Sequence, residues 1–387
     1  MIVAVPREIV PGECRVALVP ETVGRLVKSG YEVVVEAGAG EAAGFTDAAY
    51  ADAGASIEDD ARALFGKADL VAKVQRPSRR ESLGLSETEL MRSGAGVISY
   101  LHPYAALDAV ALLAEHGVAS FAMELVPRIT RAQKMDALSS QSTVAGYKAV
   151  LMGANATGKF FPMLMTAAGT IPPARVLVIG AGVAGLMAIA TARRLGAVVE
   201  AFDTRPATKE QVQSLGAAFV DLDIPNEDAQ DAGGYAKELA EDHIRREKEL
   251  LHERCAKSDI VITTALVPGK RAPVLIPEAT VAAMRVGSVI VDLAGEMGGN
   301  CELSVPGETV VSNGVTILAP LNLASQMAFH ASTMYSKNVQ ALLEHLSPER
   351  TLKVDLDDEI TRGCCVTFDG QIVHEPTRAL LNHEVSV

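Results

Sequence analysis

Short runs of β-branched and aliphatic residues alternate along this chain with segments whose apolar positions recur at helical spacing. Strands are predicted at 2–5, 32–36, 69–74, 96–100 and 118–122, with helices such as 20–29 and 105–116 between them. A second alternation starts at Arg175, with strands near 175–179, 198–202, 217–220, 259–263, 288–292 and 315–319. Strands that alternate with helices pair in parallel through crossover connections, so each half predicts a doubly wound α/β sheet. Two longer helical patterns, from about Ala137 to Ala154 and from about Ser325 to Leu346, lie at the joins. They predict crossing helices that return the C-terminus to the first half. The expected fold is therefore two doubly wound Rossmann-like domains, one of residues 1–140 plus 325–387 and one of residues 141–324. The tail beyond Pro376 reads as short and frayed.

One junction carries chemistry. The strand Arg175-Val176-Leu177-Val178-Ile179 runs straight into Gly180-Ala181-Gly182-Val183-Ala184-Gly185, and a helical pattern follows to Leu195. Gly180 permits the tight turn, Gly182 lets backbone approach a pyrophosphate, and Gly185 lets helix and strand pack closely. The helix opening at Val183 adds amide donors and a favourable dipole. An acid stands where a dinucleotide needs one: Asp203, 23 residues after Gly180, followed by Thr204 and Arg205. A carboxylate there accepts from the adenosine ribose and repels a 2′-phosphate, which predicts NAD(H) rather than NADP(H).

Composition narrows the class. The 387 residues are long enough for two cores, and 49% hydrophobic with 21% charged residues is ordinary for a folded protein. Lys and Arg total 35 against 48 Asp and Glu, a net charge of −13 that repels phosphate backbones, so no nucleic-acid partner is expected. The five cysteines form no CxxC or zinc-type pattern; free thiols in a reducing cytoplasm, and no metal, are expected. The first residues read as a strand rather than a signal peptide. The longest apolar stretch, Val176 to Ala192, contains the three fingerprint glycines and is shorter than the ~20 residues a membrane span needs.

The N-terminal segments Pro6-Arg7-Glu8, Arg15-Val16-Ala17-Leu18-Val19-Pro20 and Val35-Glu36-Ala37-Gly38-Ala39-Gly40 resemble those shared by two related groups. These are the alanine dehydrogenases and the NAD(H)-binding component of proton-translocating transhydrogenase. The resemblance covers nearly the whole chain, and three places favour the second group. Arg128-Ile129-Thr130-Arg131-Ala132-Gln133-Lys134-Met135-Asp136, with Ser139-Ser140-Gln141 beyond it, looks like the transhydrogenase Arg-Gln-Asp loop. Residues 221–257 hold an insertion with Gly233-Gly234-Tyr235 that resembles that group's mobile loop. The run Asp292-Leu293-Ala294-Gly295-Glu296 through Gly298-Gly299-Asn300-Cys301 continues in the same manner. Alanine dehydrogenases hold a keto acid with an arginine, a lysine, a histidine and an aspartate. Here Arg15 and His102 remain, but the lysine position is Gln75 and the aspartate position is Glu296.

The resemblance to transhydrogenase implies direct hydride transfer between NAD(H) on this chain and NADP(H) on a partner. Arg128 and Asp136, with Ser139, would position the NAD nicotinamide, and Gln133 would reach the partner's nucleotide. Gly234 and Tyr235 would close over NAD, and Leu275 would line the adenine pocket. It further implies a homodimer, cytoplasmic and peripheral to the membrane, docked on subunits that bind NADP(H) and span the membrane. Read singly, these residues have plainer explanations. Arg128 and Asp136 could pair across a loop, Gln133 could cap the next helix, and His102 could be a satisfied histidine at a strand end. An amino-acid dehydrogenase and a non-catalytic NAD-binding regulator therefore remain as alternatives.

Overall fold

The computed structural model describes residues 1–221, 235–266 and 271–384, and the side chains of all these except 235–243 and 382–384. The chain divides into two compact units, Met1–Gln141 with Ala324–Val387 and Ser142–Leu323.

In the first unit the strands lie in the order Gln371–Ile372, Cys365–Phe368, Ala119–Ala122, Gly96–Ser99, Leu70–Ala72, Ile2–Val5, Glu32–Glu36 and Ser56–Glu58. The last six are mutually parallel. Their period-two alternation serves both faces: Val3, Val5, Val33 and Val35 enter one core, while Ala4, Val34, Val71 and Val97 enter another. A sheet covered on both sides needs such near-continuous apolar strands. The strand expected at 69–74 closes earlier, at Ala72. Beyond it Lys73 enters a buried ion cluster, and the Val74 amide donates to Glu8 rather than to a neighbouring strand.

The two C-terminal strands were not among the expected elements. Cys365–Phe368 runs antiparallel to Ala119–Ala122, and Gln371–Ile372 turns back on it. Each is too short to announce itself by alternation. The tie that fixes the pairing, Ser120 Oγ to Thr367 Oγ1 at 2.7 Å, joins residues 247 positions apart. The tail expected to fray instead forms the helix Glu375–Glu384.

In the second unit the order is Ala218–Phe219, Val198–Phe202, Arg175–Ile179, Ile260–Thr263, Val289–Asp292, Val315–Leu318 and Thr309–Ser312, parallel except for the last strand. Reading outward from Arg175–Ile179, the chain first builds to one side and then to the other. Such sheets bind ligands where that direction reverses, at the carboxyl ends of the strands. The reversal here lies between Ile179 and Thr263, beside Gly180.

The first long helix runs Ala137–Ala156. The second long helix runs Ala328–Leu346, preceded by a 3₁₀ turn over Leu323–Met327, so it starts three residues later than its pattern suggests. Among the described residues, no helix is long and apolar enough to cross a membrane.

Candidate functional site

In the second unit the fingerprint residues adopt the geometry a dinucleotide requires. Gly180 has φ +101°, a left-handed conformation that side chains rarely adopt. A Cβ on Gly185 would lie 1.8 Å from the Gly180 carbonyl oxygen, so the helix Val183–Arg194 meets the strand backbone directly. A Cβ on Gly182 would meet nothing within 4 Å. Gly182 also stands at the helix N-cap with no side chain to bond the first-turn amides, which leaves those donors to an anion. The chain's own residues thus fit a pyrophosphate.

Asp203 closes this turn from the next strand. Its Oδ2 accepts from the Ala181 amide at 2.7 Å, and its carboxylate accepts from the Arg205 amide, Nε and guanidinium at 2.9–3.0 Å. Burial would raise the Asp203 carboxyl, but the bonds from Arg205 and Ala181 outweigh it and hold the group below the ordinary carboxylate range. The guanidinium of Arg205 is 63% exposed, so it is the donor able to swing away from the carboxylate. Thr204 lies between the two, in the loop leaving the strand.

Two residues that the sequence pattern left without roles organise the loops beyond. Asp292 is wholly buried and accepts from Thr263 Oγ1, Ser304 Oγ and the amides of Ala294, Asn300 and Cys301 at 2.6–3.0 Å. Asn300, also wholly buried, bonds Ala265 through both its amide atoms and donates to the Pro273 carbonyl. Leu275, half-buried, donates its amide to the Asn300 carbonyl at 2.8 Å. Glu296 is exposed and accepts from the Asn322 amide at 2.6 Å. Only the glycines around Asn300 hinted at a turn; nothing in one sequence marks which polar side chain such a turn will bury.

The Arg-Gln-Asp loop belongs to the first unit. Gln133 sits exposed on the 3₁₀ helix Thr130–Met135, and Arg128, also exposed, precedes it. Neither side chain has a hydrogen-bond or ion-pair partner among the described residues. The pairing of Arg128 with Asp136 considered above does not form there. Asp136 instead accepts from the Ser139 amide at 2.9 Å and from Ser139 Oγ at 2.6 Å. Asp136 therefore caps the long helix, which leaves Gln133 without that structural task. Gly234 lies outside the described residues. Tyr235 begins the helix Tyr235–Lys257, and its side chain is not among those described.

Also in the first unit, two of the four keto-acid positions, Arg15 and Gln75, both turn onto Glu13. Arg15 is 5% exposed and forks onto Glu13, with Nε to Oε1 at 2.8 Å and a terminal nitrogen to Oε2 at 2.6 Å. Its other nitrogen donates to Gln141 at 2.9 Å, while Gln75 donates to Glu13 at 2.8 Å. Burial pushes Glu13 up, yet the bonds and charge of Arg15 and the bond from Gln75 bring it down to about 2. One cation, one anion and two amides leave the cluster neutral. Lys73 cannot replace the missing lysine, because it is wholly buried against Glu8 at 3.3 Å and Glu87 at 3.1 Å. The amides of Leu101 and His102 both donate to Glu124, and His102 has φ +50° with an exposed ring. Among the described residues no group of His, Cys, Asp and Glu is placed to hold a metal, and all five cysteines are free thiols.

Comparison with known proteins shows the family. The family described as "Alanine dehydrogenase/PNT, N-terminal domain" matches residues 4–145, and its "C-terminal domain" counterpart matches residues 149–375. In Rhodospirillum rubrum, the first of the chains that make up NAD(P) transhydrogenase subunit alpha is 51% identical over 380 residues, covering 97% of this chain and 98% of that protein. An alanine dehydrogenase of Mycolicibacterium smegmatis is 33% identical over 309 residues, 79% of this chain and 76% of that one. The solved structure of a transhydrogenase from Sinorhizobium meliloti matches with TM-score 0.87 at 44% identity, over 96% of this chain and 100% of that chain.

Proposed function

Because the chain belongs to the alanine dehydrogenase/PNT family, we propose that it is the NAD(H)-binding subunit of a proton-translocating NAD(P) transhydrogenase. In this reading hydride passes directly between NAD(H) on this chain and NADP(H) on a partner subunit. The observation that carries the choice within the family is the neutral cluster of Arg15, Glu13, Gln75 and Gln141. A keto acid brings a carboxylate and a carbonyl that must be polarised, and both need uncompensated positive charge. With glutamine at position 75, the single arginine is already spent on Glu13.

When bound, NAD(H) supplies the hydride donor or acceptor; the protein supplies alignment. Gly180, Gly182, Val183 and Gly185 present backbone to the pyrophosphate. Asp203, with Thr204 and Arg205 beside it, takes the adenosine ribose and disfavours a 2′-phosphate. NADPH binding as tightly as NADH would remove that role. Leu275 lines the adenine end. Arg128, Asp136 and Ser139 orient the nicotinamide, Gln133 reaches the partner's nucleotide, and Gly234 and Tyr235 close over the cofactor. No proton moves to or from a substrate oxygen, so no acid–base pair is required. The subunit acts as a homodimer at the cytoplasmic face of subunits that bind NADP(H) and carry protons across the membrane.

An assay with NADH, pyruvate and ammonia separates this reading from the dehydrogenase alternative. The expected result is no turnover, and Gln75→Lys alone does not create it, because Glu296 also departs from the dehydrogenase pattern. Steady reductive amination by the unaltered protein at ordinary enzymatic rates would overturn the proposal.

A further inference from the structure

A hydrogen bond ties the Gln133 loop to the helix beneath it. Asn338 lies on the helix Ala328–Leu346, 8% exposed, between the fully buried Tyr335 and Val339. Its Nδ2 donates to the carbonyl of Lys134 at 2.8 Å, and Lys134 directly follows Gln133. The 3₁₀ helix carrying both residues spans only six, Thr130–Met135, and such helices hold themselves poorly. At its end the amide of Asp136 reaches the Gln133 carbonyl at a long 3.3 Å. Ala132 and Met135 anchor one side of the turn in the core. The side chains of Gln133 and Lys134 face solvent, and the Asn338 bond ties the backbone behind them to the helix.

The other half of the same amide sharpens the point. Asn338 Oδ1 is buried with no hydrogen-bond partner. An unpaired buried acceptor is costly, and here that cost accompanies the one bond the side chain makes, from Nδ2 to the Lys134 carbonyl. The amide is held in its orientation by the Lys134 carbonyl, and its useful atom is the donor. A residue that sacrifices stability in a packed core is expected where function demands it.

We propose that Asn338 is a positioning residue for hydride transfer: it holds the Lys134 carbonyl so that the Gln133 side chain is presented at a fixed place. The inference rests on the role given above to Gln133, and it concerns placement alone, since Asn338 itself touches no nucleotide. Its consequence is that Asn338 matters only as long as Gln133 is there to be placed.

A double-mutant cycle tests this in the complete transhydrogenase complex, with NADH affinity and hydride-transfer rate read separately. Asn338→Asp keeps the side-chain shape but opposes a carboxylate oxygen to the Lys134 carbonyl. It should lower transfer about tenfold while changing NADH affinity less than about twofold. In a Gln133→Ala background the same change should add less than about twofold, because its effect is already lost. If Asn338→Asp does not fold, Asn338→Ala serves in the same cycle. Equal losses in both backgrounds, or NADH affinity falling in step with transfer, would overturn the inference. Full transfer in a folded Asn338 variant would overturn this inference alone, whereas full transfer in Gln133→Ala would overturn the role of Gln133 as well.

Discussion

Gly185→Ala is expected to cost about two orders of magnitude in NADH affinity. The added Cβ would stand 1.8 Å from the Gly180 carbonyl oxygen, a separation no packed pair of atoms tolerates. Helix Val183–Arg194 must therefore move off the strand end. The first-turn amides move with it, and these are the donors assigned to the pyrophosphate. Each charge-assisted bond of this kind is worth about 1.5–3 kcal/mol. Losing one or two of them accounts for a change of roughly 100-fold. The overpacked contact also destabilises the second unit by about 1–3 kcal/mol, so thermal unfolding should shift by a few degrees. Quenching of NADH fluorescence and a melting curve measure the two effects. A Gly185→Ala protein with unchanged NADH affinity would remove the fingerprint from the account.

Gln133→Asn should behave in the opposite way. Here NADH affinity stays nearly intact, while hydride transfer in the assembled complex falls by about 100-fold. Gln133 is exposed and does not cap the helix that follows it, since Asp136 does that. Shortening the side chain by one methylene withdraws its amide by ~1 Å, and a misplacement of that size in a pair aligned at ~3–3.5 Å is enough for such a loss. Arg128→Ala, assigned to the NAD side, should weaken NADH binding as well as transfer. Measuring both constants for both variants gives four values. If Gln133→Asn loses binding and transfer in equal proportion, it is an ordinary NAD ligand. If neither changes, Gln133 has no part in the transfer.

These two residues also mark what a sequence makes legible. Gly180, Gly185 and Asp203 are separated by few residues, and strand, turn, helix and strand end follow one another in a fixed local geometry. Their roles can be read from spacing because the chain between them has little freedom. Most of the parallel strands were legible for the same reason: near-continuous apolar runs such as 2–5 and 176–179 report burial on two faces. The short, partly exposed strands Ser56–Glu58 and Thr309–Ser312 carry no such run. The C-terminal strands at 365–368 and 371–372 were not, because a short edge strand is defined by a distant partner, here Ser120. The structural roles of Asn300, Asp292 and Glu13 were not legible either. Each is a buried polar group whose meaning lies in donors and acceptors that only the folded chain brings together. Gln75 lay between these cases. Its loss of charge was visible in the sequence, but the neutral cluster it completes with Arg15 and Glu13 was not.

In the proposed mechanism hydride leaves NADH on this chain and reaches NADP⁺ on the partner with nothing in between. NADH carrying tritium at the C4 hydrogen that is transferred, mixed with the assembled complex and NADP⁺, tests it directly. The predicted result is tritium in NADPH in proportion to NADH consumed, with none released to water. Label appearing in the solvent, or NADH oxidised without labelled NADPH, would contradict the account.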